Sequence, residues 1–110
     1  PVRRHQNLVA SWYGKQFHGK PTASGETFDV YRYSAAHKTW PIPSFARVTN
    51  KANGKSLIVR INDRGPFVKG RDIDLSWSAA RKLDFIKQGV ADIEVHWLGT
   101  QPPNLLVRLW

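Results

Sequence analysis

Residues 60–67, RINDRGPF, end what otherwise reads as an ordinary strand. Leu57, Ile58, Val59 and Ile61 suit a strand, yet the run finishes on Asn62, Asp63, Arg64, Gly65 and Pro66. Pro66 has no N–H to give a ladder and Gly65 tolerates positive φ, so the chain must stop and turn. In an extended chain Leu57, Val59, Ile61 and Asp63 share one face, while Ile58, Arg60 and Asn62 share the other. Asp63 therefore extends an apolar row. Two readings stay open: a turn Asp that accepts local N–H bonds, or a desolvated carboxyl suited to acid or base work.

Working outward, KANGK joins this strand to Phe45–Asn50, and its Asn53-Gly54 pair is a hairpin signal. A first strand is expected over Leu8–Tyr13 and a last one over residues 91–98, where Ile93, Val95 and Trp97 alternate with Asp92, Glu94 and His96. Before the last strand, DLSWSAARKLDF offers Ser76 as an N-cap, with Leu75 and Ala80 as a hydrophobic staple, for a helix from about Trp77 to Leu83. Residues 15–27 are rich in Gly, Pro, Ser and Thr and read as a long surface loop. Residues 1–7 read as a loose arm, residues 8–99 as one domain, and residues 100–110 as a tail or linker that Pro102 and Pro103 separate from the last strand. The apolar end, Leu105–Trp110, is expected either to pack on the domain or to belong to a linker.

The 110 residues suffice for a single core. Seventeen Lys and Arg against eight Asp and Glu give a net charge of +9, which favours an anionic partner such as nucleic acid, a membrane surface or an acidic wall polymer. The basic residues are scattered, without the clustered stripe or RNP-like aromatic motif of a nucleic-acid-binding barrel, so nucleic acid is not expected. The absence of cysteine excludes disulfides, thiolate metal sites and cysteine nucleophiles. No stretch approaches the ~20 apolar residues of a membrane span, and the start at Pro1 suggests a processed or excised piece.

With eight carboxylates, each can be weighed. Asp92 and Glu94 fall on the outward face of the last strand and Asp84 near a helix end, where solvated roles are expected. Asp72 and Asp74 precede the helix, where carboxylates suit its dipole, and Ile73 and Leu75 draw Asp74 inward. Glu26, in TASGETFD, suits either an exposed loop position or a catalytic acid. His5, His18, His37 and His96 show no metal-ligand spacing, so neither metal nor cofactor is expected, while His37 suits a proton carrier or a structural histidine. Trp12, Tyr13, Phe17, Trp40 and Trp77 border loops, where aromatic faces can stack on sugars or simply fill a core.

Taken together, ASWYGKQFHGKPTASGETFD, SAAHKTWPIPSFARVTN, GKSLIVRINDRGPF and RDIDLSWSAARKL resemble the rare lipoprotein A (RlpA) family of bacterial septal lytic transglycosylases, from about Val9 to Leu98. The resemblance implies a mainly β fold, a six-stranded double-psi β-barrel with one or two short helices, related to the barrels of expansins, some endoglucanases and membrane-bound lytic transglycosylase A. It places Glu26, His37 and Asp63 on the family's active-site positions, and Asp74 on a functional Asp of expansin-like relatives. The implied activity is endolytic cleavage of the MurNAc-β-1,4-GlcNAc bond of peptidoglycan strands, with or without stem peptides, leaving 1,6-anhydroMurNAc ends.

Such chemistry needs one carboxyl as acid and then base, assigned to Asp63, and a second group, assigned to Glu26, for charge stabilisation, with the reverse order open. His37 is expected to hydrogen-bond a carboxylate or N-acetyl group, and Arg64 to orient Asp74 or the muramic lactyl carboxylate. Arg64, Asp74, Trp12, Tyr13 and Trp40 form the expected substrate-binding set. The expected setting is a monomer in the bacterial periplasm acting in wall remodelling and daughter-cell separation. The chain lacks the lipidated cysteine and the SPOR domain of the family's full-length members, so outer-membrane anchoring would belong to a longer precursor. The rival is an expansin-like module that binds wall glycan without cutting it.

Overall fold

The computed structural model describes residues 4–103. Six strands close a barrel: β1 His5–Tyr13, β2 Ser34–His37, β3 Ser44–Asn50, β4 Ser56–Asp63, β5 Ile73–Ser76 and β6 Val90–Gly99, with one helix, α1 Trp77–Leu83. Around the barrel the order is β1-β5-β2-β4-β3-β6. The pairs β1/β5 and β2/β4 are parallel and the other four antiparallel. Closure leaves no free sheet edge. The interior holds Ala35, Val48, Val59, Ile61, Ile73, Leu75, Ile93 and Val95, all essentially inaccessible to solvent.

The hairpin forms as its Asn-Gly turn implies. β3 and β4 pair antiparallel from Ser44↔Ile61 to Thr49↔Ser56, and Gly54 takes φ 76° with its N–H on the Asn50 carbonyl. β6 alternates as expected, with Ile93 and Val95 buried and Asp92, Glu94 and His96 exposed. Ser76 caps α1 by accepting the Ala79 N–H, and the buried hydroxyl also donates to the Arg32 carbonyl at 2.7 Å. Asn50 fastens the helix end, its Nδ2 donating to the Leu83 carbonyl at 2.9 Å.

Two features of the strands depart from the sequence reading, and a third is a bulge in β4. β1 begins at His5, inside the expected loose arm, because residues 5–7 pair with residues 94–96 of β6 and His5 reaches Glu94 at 2.9 Å. β2 and β5 carry no strand signal in the sequence: each has four residues, too few for alternation to register, and their partners supply the ladder. The tail expected to pack or to continue as a linker, Leu105–Trp110, lies outside the described residues.

The third departure decides where the functional groups point. Ala35 pairs with Ile61, but Ala36 pairs with Asp63, so Asn62 is an extra residue in β4. Strict alternation would keep Asp63 on the core side of Ile61. The bulge instead turns Asp63 onto the outer face shared by Ala36, as bulges beside functional sites do. Consistent with this, Ile61 and Asn62 are consecutive buried residues.

The turn after the bulge depends on Gly65, at φ 129°, followed by a cis Gly65–Pro66 peptide. An added Cβ would meet Phe67 and Ala36 at ordinary distances of 3.6 and 4.0 Å, so the cost of a side chain here is backbone strain and not overlap. Gly65→Ala is expected to lower the unfolding free energy by about 1–3 kcal/mol, measured by urea denaturation; an unchanged midpoint would mean that the turn does not need the glycine.

Candidate active site

Register places four residues in one lateral row across four strands. Ser11 of β1 pairs with Asp74 of β5, Asp74 with Ala36 of β2, and Ala36 with Asp63 of β4. Partners in register point to the same side of a sheet, so the two carboxylates flank the Ala36 methyl, their backbones about 10 Å apart across two strand spacings. All four line a groove of about 300 Å³. Phe17, Pro66 and Phe67 give it apolar walls, and Lys20, Arg64 and Arg71 bring positive charge.

The carboxylates are held differently. Asp63 is half-buried and its Oδ1 accepts two backbone N–H bonds, from Ala23 at 2.9 Å and Arg64 at 2.8 Å. The Arg64 N–H is the local bond of a turn Asp, while the Ala23 N–H reaches it from a loop 40 residues away, and the residue also faces the groove. Among the described residues, Asp74 accepts only the Ser11 hydroxyl, at 3.0 Å. Burial pushes its carboxyl up to about 6, against the pull of Ser11 and Arg71 and with a further push from Asp63. Of the two groove carboxyls, the one raised by desolvation is that of Asp74. Two residues earlier, Asp72 is a fastener: its Oδ2 accepts the Val9 N–H at 2.8 Å and its own N–H bonds the Val9 carbonyl.

Of the remaining expected residues, Glu26, His37 and Trp40 do not line the groove, whereas Trp12, Tyr13 and Arg64 do. Glu26 lies in an adjacent hollow, forked onto the Arg60 guanidinium and accepting from Asn62 Nδ2 at 3.2 Å. His37 is buried and stacked on Trp40 with ring centroids 3.9 Å apart, its Nδ1 accepting the N–H groups of Thr39 and Trp40. Burial and the nearby Arg64 lower it to about 4, so it is neutral at physiological pH. Trp40, expected to stack on sugars, is 4% exposed and belongs to the core, which removes it from the substrate-binding set. Arg64 donates to the Trp40 carbonyl at 2.6 Å and to that of His37 at 3.3 Å, tying the segment after β2 to the end of β4. Among the described residues no hydrogen bond links Arg64 to Asp74, although both line the groove. Trp12 and Tyr13 do line the groove, and burial holds the Tyr13 phenol above its ordinary range.

The sequence profile of the lytic transglycolase family matches residues 5–95. The chain belongs to the lytic transglycolase family.

Among its relatives, it is 60% identical over 87 residues to the endolytic peptidoglycan transglycosylase RlpA of Pseudomonas aeruginosa strain UCBPP-PA14, covering 79% of this chain and 26% of that protein. It is 53% identical over 95 residues to the protein of the same name from Vibrio cholerae, covering 86% of this chain and 36% of the relative. The chain thus spans about a quarter to a third of the length of these relatives. Among solved structures, the Streptomyces papain inhibitor superposes with a TM-score of 0.71 at 22% identity, over 89% of this chain and 97% of that one, a likeness of fold alone. The barrel is the double-psi β-barrel that the resemblance implied.

Within this lytic transglycolase domain, sequence reasoning passed over Ser11, Lys20, Phe67 and Arg71, all groove residues. Phe67 had a usable signal, since it is the first large apolar residue after a Gly-Pro turn, and it is 86% exposed. Ser11 had none, because its meaning depends on pairing with a strand sixty-odd residues away. Among the described residues, no cluster of His, Asp or Glu is placed to hold a metal ion.

Because the folded protein binds the Asp74 proton more tightly than the unfolded chain does, this residue's contribution to stability is fullest below about pH 4 and is lost as pH rises through about 6. Asp74→Asn keeps the oxygen facing Ser11 and removes the buried charge. It is expected to match wild type at pH 4 and to be more stable by about 1 kcal/mol at pH 7.5, after allowance for solvent screening in an open groove. Thermal melts across that range check this, and an equal gain at both pH values would refute the assignment.

Proposed function

We propose that this chain is the catalytic domain of an endolytic peptidoglycan transglycosylase that cleaves the MurNAc-β-1,4-GlcNAc bond and leaves 1,6-anhydroMurNAc ends. The observation that carries this is the carboxyl pair flanking Ala36 in one groove, with Asp74 pushed up to about 6. The 60% identity to an endolytic peptidoglycan transglycosylase supports the substrate.

Asp74 is assigned as acid and then base. Protonated, it gives its proton to the bridging oxygen as the bond from muramic C1 breaks, and the GlcNAc leaves with a free 4-hydroxyl. The positive charge that develops at C1 and the ring oxygen faces Asp63, whose carboxylate is fixed by the Ala23 and Arg64 N–H groups. The muramic C6 oxygen then attacks C1 and its proton passes to Asp74. The 1,6-anhydro ring closes, and Asp74 regains its starting proton without water. Glu26, held by Arg60 in the neighbouring hollow, has no part in proton transfer, and His37 supports the β2 end of the site from beneath.

The net charge of +9 and the groove cations draw the domain to anionic wall polymer, an attraction that falls as salt rises. The setting is the bacterial envelope, on the periplasmic side, with the domain acting as a monomer on glycan strands during wall remodelling.

Digestion of purified peptidoglycan, read by mass spectrometry for 1,6-anhydromuramyl ends, tests this reading. Wild type is expected to release them. Asp74→Asn is expected to lower turnover by about 10²–10⁴-fold, the usual contribution of a positioned acid and base, and Asp63→Asn to lower it with binding retained. Because the protonated acid is the form that starts the reaction, kcat/KM is expected to fall about tenfold per pH unit above pH 6. Reducing ends would mean hydrolysis on the same barrel, and wall binding without products would favour the non-catalytic glycan-binding module.

A further inference from the structure

A separate concave site lies at the far end of β4 from the groove. Asp63 closes that strand and Ser56 opens it, about 23 Å away along the backbone. There, Tyr33, Lys55, Ser56, Ser78, Arg81 and Lys82 line a hollow of about 620 Å³. None of the six lines the groove or the space around Glu26, and the mechanism uses none of them.

Its chemistry is one of unspent donors. α1 ends in Arg81 and Lys82, cations of a kind that commonly bond a helix's last carbonyls. Here other groups meet those carbonyls: Asn50 and Asn53 Nδ2 bond that of Leu83 at 2.9 and 3.0 Å, and the Phe85 and Asp84 N–H groups bond those of Ala80 and Arg81. Arg81 lies over the Trp77 ring, 5.5 Å from its centroid, a contact with the π face that occupies none of its N–H donors. Lys55 reaches Asp84 at 3.8 Å, but both side chains are more than half exposed, and such a pair holds a lysine weakly. Among the described residues, the Tyr33, Ser56 and Ser78 hydroxyls and the Lys82 ammonium make no hydrogen bond within the chain.

Three cations and three hydroxyls thus share one concavity in which no lining residue is acidic. A neutral sugar would leave the charges unmatched, and a carboxylate offers only two oxygens. A phosphate monoester offers three terminal oxygens and up to two negative charges. That suits donors arriving separately from α1, from the start of β4 and from the segment before β2.

We propose that this hollow is a binding site for a phosphate ester, with Lys55, Arg81 and Lys82 supplying charge and Tyr33, Ser56 and Ser78 supplying hydroxyl donors. A phosphate held there, on a lipid head group or along a soluble phosphate polymer, tethers the domain while the groove stays open to its own substrate. Because the two places share no residue, the site stands independently of the reaction assigned to the groove.

The test is an amide NMR titration of the chain with glycerol phosphate at constant ionic strength. Saturable shifts are expected at Lys55, Ser56, Ser78, Arg81 and Lys82, with a Kd of about 1 mM; shifts centred elsewhere, or none, would overturn the proposal. Arg81→Ala combined with Lys82→Ala is expected to weaken binding about tenfold. Ser56→Ala combined with Ser78→Ala leaves the net charge unchanged and is expected to weaken it several-fold. Arg47→Ala, which removes an exposed cation of β3, is expected to change nothing. Full affinity without the two serines, or an equal loss with Arg47→Ala, would reduce the effect to net charge and remove the site. Equal affinity for glutarate, a dicarboxylate, would also overturn it and point to an acidic protein segment. Sedimentation with vesicles of equal parts phosphatidylglycerol and phosphatidylcholine separates the sources. Retention that Arg81→Ala with Lys82→Ala abolishes assigns the phosphate to a lipid, and glycerol phosphate binding without retention assigns it to a soluble polymer.

Discussion

One inserted residue governs the functional face of this barrel. Asn62 has no partner of its own in β2, and the register slip it creates lets Ile61 stay in the core while Asp63 emerges beside Ala36. The slip also sets the loop that crosses the end of β4. Ala23 N–H bonds the Asp63 carboxylate, Ser24 N–H bonds the Asn62 carbonyl, and Glu26 closes onto Arg60 and Asn62. With an unbulged β4 the second carboxylate would point toward Ile61 and Leu75, where a charge is costly. The groove and the neighbouring hollow thus have a single backbone cause.

The same row explains why neighbouring aspartates differ. Asp72 and Asp74 are separated by one residue, yet Asp72 accepts a backbone N–H from β1 whereas Asp74 meets the Ser11 hydroxyl. A backbone donor makes the first a structural clasp. The second, buried with a weaker partner and facing Asp63 across a methyl group, retains its proton into the range where proton transfer is useful. Environment assigns the roles, with residue type held constant.

Much of the fold was legible where local chemistry is self-sufficient. Asn53-Gly54 specifies a turn by backbone conformation, β6 displays its period over ten residues, and Ser76 caps the helix it precedes. β2 and β5 were illegible because SAAH and IDLS are strands by virtue of their partners, with neither the length nor the composition to announce themselves. The site was legible in part. Asp63 stood out because a carboxylate interrupted an apolar row, but that row assumed unbroken alternation, which the bulge violates. Trp40 and Trp12 are indistinguishable as sequence, and only the fold shows that one ring is interior, Trp40 being 4% exposed and stacked on His37. Asp74 could be marked as drawn inward, though its pairing with Ser11 is visible only once β1 and β5 lie side by side.

Small residues complete the site as much as charged ones do. Ala36 stands between the carboxylates, and a Cβ added at Gly65 would lie 4.0 Å from the Ala36 methyl, so the floor there is formed by the two least bulky side chains available. On the proposed transglycosylase reading, a sugar ring settling on that floor would lie between Asp63 and Asp74, with Phe17 and Phe67 at its edges. A reaction that closes a ring within its own substrate must hold C6 and C1 together and leave little space for water over C1. A shallow floor between two carboxylates with apolar walls meets both demands, and it follows from placing alanine and glycine where β2 meets the turn after β4.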